Sequence, residues 1–343
     1  MGFNVLVISA AVNAQLEKAV EEKIAQLIAP FKSDYPIVQF AARDLALLQE
    51  RMQAIGFNPS LVSLDTYPNI RNIQLIIPHV MGSEIIIALD DDEIVSPSYM
   101  QQASAFVGSK WRGQLISGVA GIYLNGNGEW LLPENPPTGN LFIDKVSIMN
   151  AGARSLMEDA QSLVKSPVSY GGNMIFHRDL FTQISFDPGI TRGEDIDYLI
   201  TAHIGGYKFW FDKTLAITHL PPMSHKTSPY AKLREDVIRF IYEREKLRHA
   251  EVDPRLFDPY PGRFLDTNLE SHAFNALKDT ATPEDIARFG SPQEVLTHAG
   301  EHSQKYIPRF FNFIETWPRL MREFEDDKLL QEYWHSKMEE DSQ

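Results

Sequence analysis

A chain of 343 residues, 43% hydrophobic and 23% charged, can bury a substantial core as one enlarged domain or two smaller ones and does not have the composition of a disordered chain. Its 46 acidic against 32 basic residues give a formal net charge of -14, which repels a phosphate backbone and offers no broad basic field to nucleic acid or anionic lipid, so a bound nucleotide would be small and met by local groups. The absence of cysteine excludes disulfides, thiolate metal sites and cysteine nucleophiles.

Residues 1–11 form a short apolar run with neither a basic leader nor a small-residue cleavage site, and read as a buried strand. No stretch approaches the ~20 apolar residues of a bilayer span, so a cytoplasmic location without a transmembrane segment is the expectation. Residues 3–10 (FNVLVISA) predict a first strand, and residues 15–28 a helix with Leu16, Val20, Ile24 and Leu27 on one face. A strand at 36–40, a helix at 45–55 closed by Gly56, a short strand at 61–64 and a helix at 70–80 followed by Gly82 come next. Residues 85–89 (IIIAL) are a continuous apolar run, the pattern of a central parallel strand covered on both faces. The alternation predicts an α/β fold with a doubly wound, mainly parallel central sheet, helices on both faces, and ligands beyond the carboxyl ends of the strands.

Further along, the pattern predicts a helix at 97–107, a strand at 114–123 and a turn-rich loop at 125–139. Strands at 168–177 and 209–220 flank a helix at 195–203. Past residue 225 the chain reads as helical, at 230–248, 283–289, 292–299 and 304–334, the last interrupted by Pro308 and Pro318, with a proline-rich irregular segment at 253–264. The expected division is residues 1–224, in halves of 1–95 and 96–224, plus a mainly helical extension over 225–343 whose helices offer a surface for homo-oligomerisation.

The acidic run Asp90-Asp91-Asp92-Glu93 falls at a strand end. Its mutual repulsion, on the order of several kcal/mol at most at an effective dielectric of about 20, is relieved by a bound cation, and carboxylate oxygens suit Mn²⁺ or Mg²⁺. Asp90 and Asp92 project to the same side of an extended segment. The plain alternative is a solvated acidic turn capping the following helix. Gly171 and Gly172 permit close backbone approach to a sugar or phosphate, or simply form a bulge or turn. Glu194, Asp195 and Asp197 open a helix, where the dipole favours anions and one acid would suffice as a cap. His225, Lys226 and Arg234 suit diphosphate oxygens or form a solvated basic patch.

Residues 67–95 (YPNIRNIQLIIPHVMGSEIIIALDDDEIV) resemble the stretch leading into the DxD motif of family-2 glycosyltransferases, with Arg71, Asn72, Gly82 and Asp90 to Asp92 in the family's places. Residues 170–222 resemble the acceptor half of GT-A enzymes: GGN before a strand, RDLF, FDPGI, GED, a Gly-Tyr turn, and a strand ending in His219. The resemblance implies a GT-A fold and metal-dependent hexosyl transfer from a UDP- or GDP-sugar to a hydroxyl-bearing acceptor, a carbohydrate or small molecule. It makes Asp90, Asp92 and His219 metal ligands, Asp91 either a donor-sugar contact or a support for the ligands from behind, and Arg71, Asn72 and Gly171 to Asn173 donor-binding residues. Ala11 and Asn13 (in SAAVN) and Asp44 (in FAARD) occupy nucleotide-contacting loops, both departing from the family pattern. Asp195 becomes the general base of an inverting transfer, within reach of the acceptor hydroxyl proton, with Glu194 and Asp197 as the substitutes or as acceptor-hydroxyl contacts.

The Gln-x-x-Arg-Trp signature of processive synthases is absent, which argues against a membrane-extruding synthase. Retaining GT-A families share the acidic triplet and the late histidine, and in them the GED acid would orient the acceptor instead. A nucleotidyltransferase would carry a Gly-rich, Lys/Arg-containing loop where this chain has SAAVNAQ, and a catalytically silent sugar-binding protein would tolerate loss of metal affinity.

Overall fold

The computed structural model describes residues 3–166, 168, 169, 172–221, 227–266 and 268–340. Its first half contains β1 (Val5–Ile8), α1 (Glu17–Ile28), β2 (Ile37–Phe40), α2 (Ala42–Ala54), α3 (Tyr67–Val80), β3 (Ile85–Ala88), β4 (Glu93–Val95), α4 (Tyr99–Ala103), β5 (Lys110–Trp111), β6 (Gln114–Leu115), β7 (Gly118–Leu124) and α5 (Lys145–Met157). Then follow β8 (Leu163–Lys165), β9 (Met174–His177), α6 (Arg178–Phe181), α7 (Glu194–Ile204), β10 (Trp210–His219), α8 (Pro229–His249), α9 (Leu269–Thr280), α10 (Pro283–Phe289), α11 (Pro292–Glu325) and α12 (Lys328–Glu340).

Helix α2 starts three residues before its apolar pattern does, because the Asp44 carboxylate accepts from the Ala41 N–H at 2.7 Å and satisfies an end group of the first turn. The short strand expected at 61–64 does not form. Pro59 opens a tight turn there, and the Asn58 side chain accepts from the Ser60 N–H at 3.0 Å, a local bond that competes with strand pairing.

The sheet is the main correction. β1 and β2 pair in parallel, Val5 opposite Ile37, as a separate two-stranded unit. The larger sheet runs β3-β9-β7-β10-β4, with β8 also on β10, and only its β7–β10 pairing is parallel. It is therefore mixed, not mainly parallel. β3 is an end strand of that order, its exposure alternates along its length, and its partner β9 runs antiparallel. An apolar run such as IIIAL reports burial but carries no information about strand direction.

The helical part is not a separate layer. One buried cluster runs from Val38 and Phe40 through Phe176 and Tyr198 to Trp317 and Trp334, so the C-terminal helices share a core with the sheet. Trp317 Nε1 donates to the Phe181 carbonyl at 2.9 Å, and the Trp334 ring stacks on Phe40 at 5.8 Å. Helix α11 runs unbroken through Pro308 and Pro318, where interruptions were expected. Its buried face, from Val295 and Ala299 through Phe313 to Phe324, packs along its length, and that burial outweighs the hydrogen bond lost at each proline. Among the described residues no helix is long and apolar enough to cross a membrane.

Candidate functional site

After β3 the chain turns at Asp90 to Asp92 and re-enters the sheet as β4. Its register against β10 sets Glu93 opposite His219, and the Leu220 N–H donates to the Asp92 carbonyl at 2.8 Å. Sheet pairing thus carries a histidine from more than a hundred residues away onto the acidic turn, with His219 Nε2 3.2 Å from Asp92 Oδ2. Asp90 faces another partner: Arg71 Nη2, on the buried side of α3, lies 2.7 Å from Asp90 Oδ1 and 2.9 Å from Oδ2. Asp91 is exposed.

Arg71 also reaches across to α7, with Nε 3.6 Å from Glu194 Oε1. One guanidinium, only 8% exposed, therefore joins the acidic turn to the acids of the GED segment. Burial works against the Arg71 charge, but Asp90 and Glu194 outweigh it and hold its pKa above the ordinary value. Burial and the neighbouring Asp195 raise Glu194, with Arg71 opposing.

Two residues not foreseen as contacts complete this cluster. The Glu93 carboxylate accepts from the Asp90 N–H at 3.0 Å and from the Tyr123 hydroxyl, and that hydroxyl accepts from the Gly172 N–H at 2.6 Å. Burial raises the pKa of Glu93, against the hydrogen bond from Tyr123; burial, then the Glu93 charge, raises that of Tyr123. The only sequence signal for Tyr123 is its place near the end of an apolar strand (GVAGIYL), at the same sheet end as His219. Gly172 is required by contact: a Cβ there would stand 2.6 Å from Asp90 Cγ.

Ala11 and Asn13 line a different feature, a cavity of about 220 Å³ with Ser9, Ala41, Leu64 and Asp65, beyond the carboxyl ends of β1 and β2. Asp65 is an acid the motifs did not single out. Asp44 is turned into the protein, where Ala41 N–H, Tyr333 and Lys337 Nζ (2.6 Å) occupy its oxygens. Asn72 is buried and exchanges two hydrogen bonds with the backbone of Phe186, at 3.0 and 2.8 Å. Asn173 is likewise engaged inside, accepting from Tyr99 at 2.7 Å and donating to the Leu215 carbonyl at 3.1 Å. Asp197 is fully buried against Lys246 Nζ at 2.8 and 2.9 Å, while Asp195 on the same helical turn is half-buried. Gly171, His225 and Lys226 lie outside the described residues.

The structure thus brings Asp90, Asp92, His219, Arg71, Glu194 and Gly172 together, with Asp195 next in the chain. It places Asp44, Asn72, Asn173 and Asp197 in the packing behind. Among the described residues no three His, Asp or Glu side chains gather at ligating spacing. Asp92 and His219 nevertheless offer one carboxylate and one imidazole, a donor set that fits a small divalent ion which completes its coordination with phosphate oxygens and water.

No protein-family model matches the chain, and no curated protein matches its sequence. Among solved structures it is similar to GalNAc-T7, in a crystal structure with UDP, GalNAc and Mn²⁺, at 13% identity over 86% of this chain and 52% of that one, TM-score 0.37. It is also similar to the mannosyltransferase PcManGT from Pyrobaculum calidifontis, in complex with GDP-Man and Mn²⁺, at 15% identity over 97% and 87%, TM-score 0.39. The chain spans about half the length of the GalNAc-T7 chain.

Proposed function

We propose that the protein is a glycosyltransferase that moves a hexosyl group from a nucleoside diphosphate sugar to an acceptor hydroxyl with the help of Mn²⁺ or Mg²⁺. The observation that carries this reading is the convergence of two sequence-distant acidic motifs: Arg71 ties Asp90 to Glu194, while strand register sets His219 on Asp92. A divalent ion held by Asp92 and His219, with Asp90 beside them, would neutralise the departing diphosphate. Gly172, with no side chain, lets the Asp90 carboxyl group pack directly against the backbone of the glycine segment. The cavity at Ala11, Asn13 and Asp65 suits the base and ribose. Arg71, set between Asp90 and Glu194, offsets the repulsion between the two carboxylates.

Asp195 is the group we assign to deprotonate the acceptor hydroxyl, giving inversion at the anomeric carbon. Its half-buried place in the first turn of α7 leaves it open to an acceptor, unlike Asp197. The test is a screen of UDP- and GDP-hexoses for hydrolysis and for thermal stabilisation, with Mn²⁺, with Mg²⁺ and with chelator, since a ligand of the native state raises apparent stability by mass action. A metal-dependent response that Asp92→Asn or His219→Ala removes supports the reading; an unaltered response in both variants rejects the metal site. Full activity in Asp195→Ala, or a product of retained configuration by NMR, rejects the base.

A further inference from the structure

Helix α8 presents a buried row of charged side chains to the back of the site. Arg239, Glu243 and Lys246 recur at intervals of four and three residues, so they share one helical face. Lys246 Nζ holds Asp197 at 2.8 Å, Asp187 at 2.9 Å and the Thr201 hydroxyl at 2.9 Å. Two turns earlier, Arg239 lies under the residue that opens α7. Gly193 there has φ 70° and ψ 40°, a left-handed conformation, and contributes no side-chain cap. A Cβ on Gly193 would stand 2.0 Å from Arg239 Nη1 and 2.2 Å from its Cζ. The guanidinium occupies the space a side chain would take.

Packing alone does not call for an arginine at this position. A buried cation beneath a helix N-terminus opposes the helix dipole and loses hydration, and an apolar side chain of similar volume would fill the space without either cost. Arg239 is 4% exposed and its Nη2 has no hydrogen-bond partner among the described residues. Its Nε is fixed by Glu243 Oε1 at 2.9 Å, and its Cζ lies 4.8 Å from the Phe240 ring centroid. Burial works against its charge, but Glu243 first, then Tyr260, Asp195 and Asp236, outweigh it and hold its pKa above the ordinary value; of these, Asp195 lies on α7, just past the glycine.

We infer that Arg239 is a positioning residue, whose guanidinium, locked by Glu243, holds Gly193 in its left-handed turn and so sets the direction in which Glu194 and Asp195 leave the start of α7. Arg71 meets Glu194 from the front and Arg239 supports the same turn from behind. The role of the turn in sugar transfer rests on the function proposed above; the mechanical role does not.

The test separates the two. Arg239→Met is combined with Glu243→Gln so that no orphan charge is buried, and Gly193→Ala disturbs the same contact from the other side. Hydrogen exchange is followed on the segment 194–198, whose Asp197 N–H bonds to the Gly193 carbonyl at 3.1 Å, with the segment 313–317 of α11 as internal reference. The expected result is exchange at least tenfold faster in 194–198 for both variants and an unchanged reference. For whichever of UDP-glucose, UDP-N-acetylglucosamine or GDP-mannose the parent protein hydrolyses with Mn²⁺, kcat falls at least tenfold while the donor KM stays within twofold. Parent-like exchange at 194–198 in either folded variant overturns the inference, as does a kcat loss matched by an equal rise in KM. If the parent hydrolyses none of the three donors, the proposed function is what fails, and the exchange result still decides the role of Arg239.

Discussion

Two clusters of opposite charges meet the first turn of α7, and they differ in what water can reach. In front, Arg71 with Asp90 and His219 with Asp92 have side chains 10 to 36% exposed, and each pair joins segments that no helix or turn holds together. Behind, Lys246, Asp187 and Asp197 are at most 1% exposed, and Glu243 is fully enclosed with Arg239. The rear cluster sets three acids against two cations. Burial pushes Glu243 up to about 7 and Asp197 up to about 6, each opposed by its cation. The same residue types therefore serve two ends. Where the charges are enclosed they are a structural commitment, and where they are open they remain available to an added ion or anion.

The contrast can be broken most sharply at its rear. Lys246→Met strands Asp187 and Asp197, and should lower stability by about 3–5 kcal/mol in urea unfolding; a loss under about 1 kcal/mol would mean that the lysine is not holding them. In front, Asp92→Asn should leave the melting temperature near that of the parent but reduce metal-dependent donor hydrolysis about 100-fold, about 2.7 kcal/mol in barrier. The reverse pattern, a large melting shift with activity kept, would make the front cluster structural too.

The pH dependence sharpens the comparison further. Glu243 and Asp197 have folded pKa values above their unfolded ones, so the native state binds more protons between about pH 4 and 7. Their contribution to stability is therefore lost as pH rises through that window, and Glu243→Gln should flatten the slope in unfolding measured at stepped pH. Arg239, Lys246 and Tyr242 face these two carboxyls, each with its pKa held above the ordinary value, and stay protonated throughout; Asp187 is the remaining charged neighbour. The smallest effect is expected of Tyr123→Phe, which leaves Glu93 and the Gly172 N–H each one partner short, about 1 kcal/mol by urea unfolding.

Much of the front cluster was legible because its parts are local motifs. The acidic run after an apolar strand, a GED segment opening a helix and a histidine ending a strand each sit within a few residues. Their partners were not. Nothing near Asp90 in the sequence points to Arg71 rather than a metal as its companion, and Tyr123 is one aromatic among many. The inward turn of Asp197 follows from geometry, since two residues along a helix are about 200° around it from Asp195. Its reason, Lys246, lies 49 residues further on. Strand existence was read correctly for β1, β2, β3 and β10, whereas strand direction failed at β3 because direction is set by the connection and not by the residues. The prolines of α11 misled for a related reason: a local breaker was outweighed by burial along a face contributed by distant elements.

The contact of α12 with the first half has a consequence in time. Trp334 stacks on Phe40 and Lys337 binds Asp44, which is 293 residues earlier in the chain. At roughly 5–20 residues per second, a ribosome makes the second partner on the order of 15–60 s after the first. Over that interval Phe40 lacks the ring that later stacks on it, and Asp44, capped locally by the Ala41 N–H, lacks its Tyr333 and Lys337 partners. The segment that borders the cavity at Ala11 and Asn13 thus reaches its final packing only when the last helix has been made.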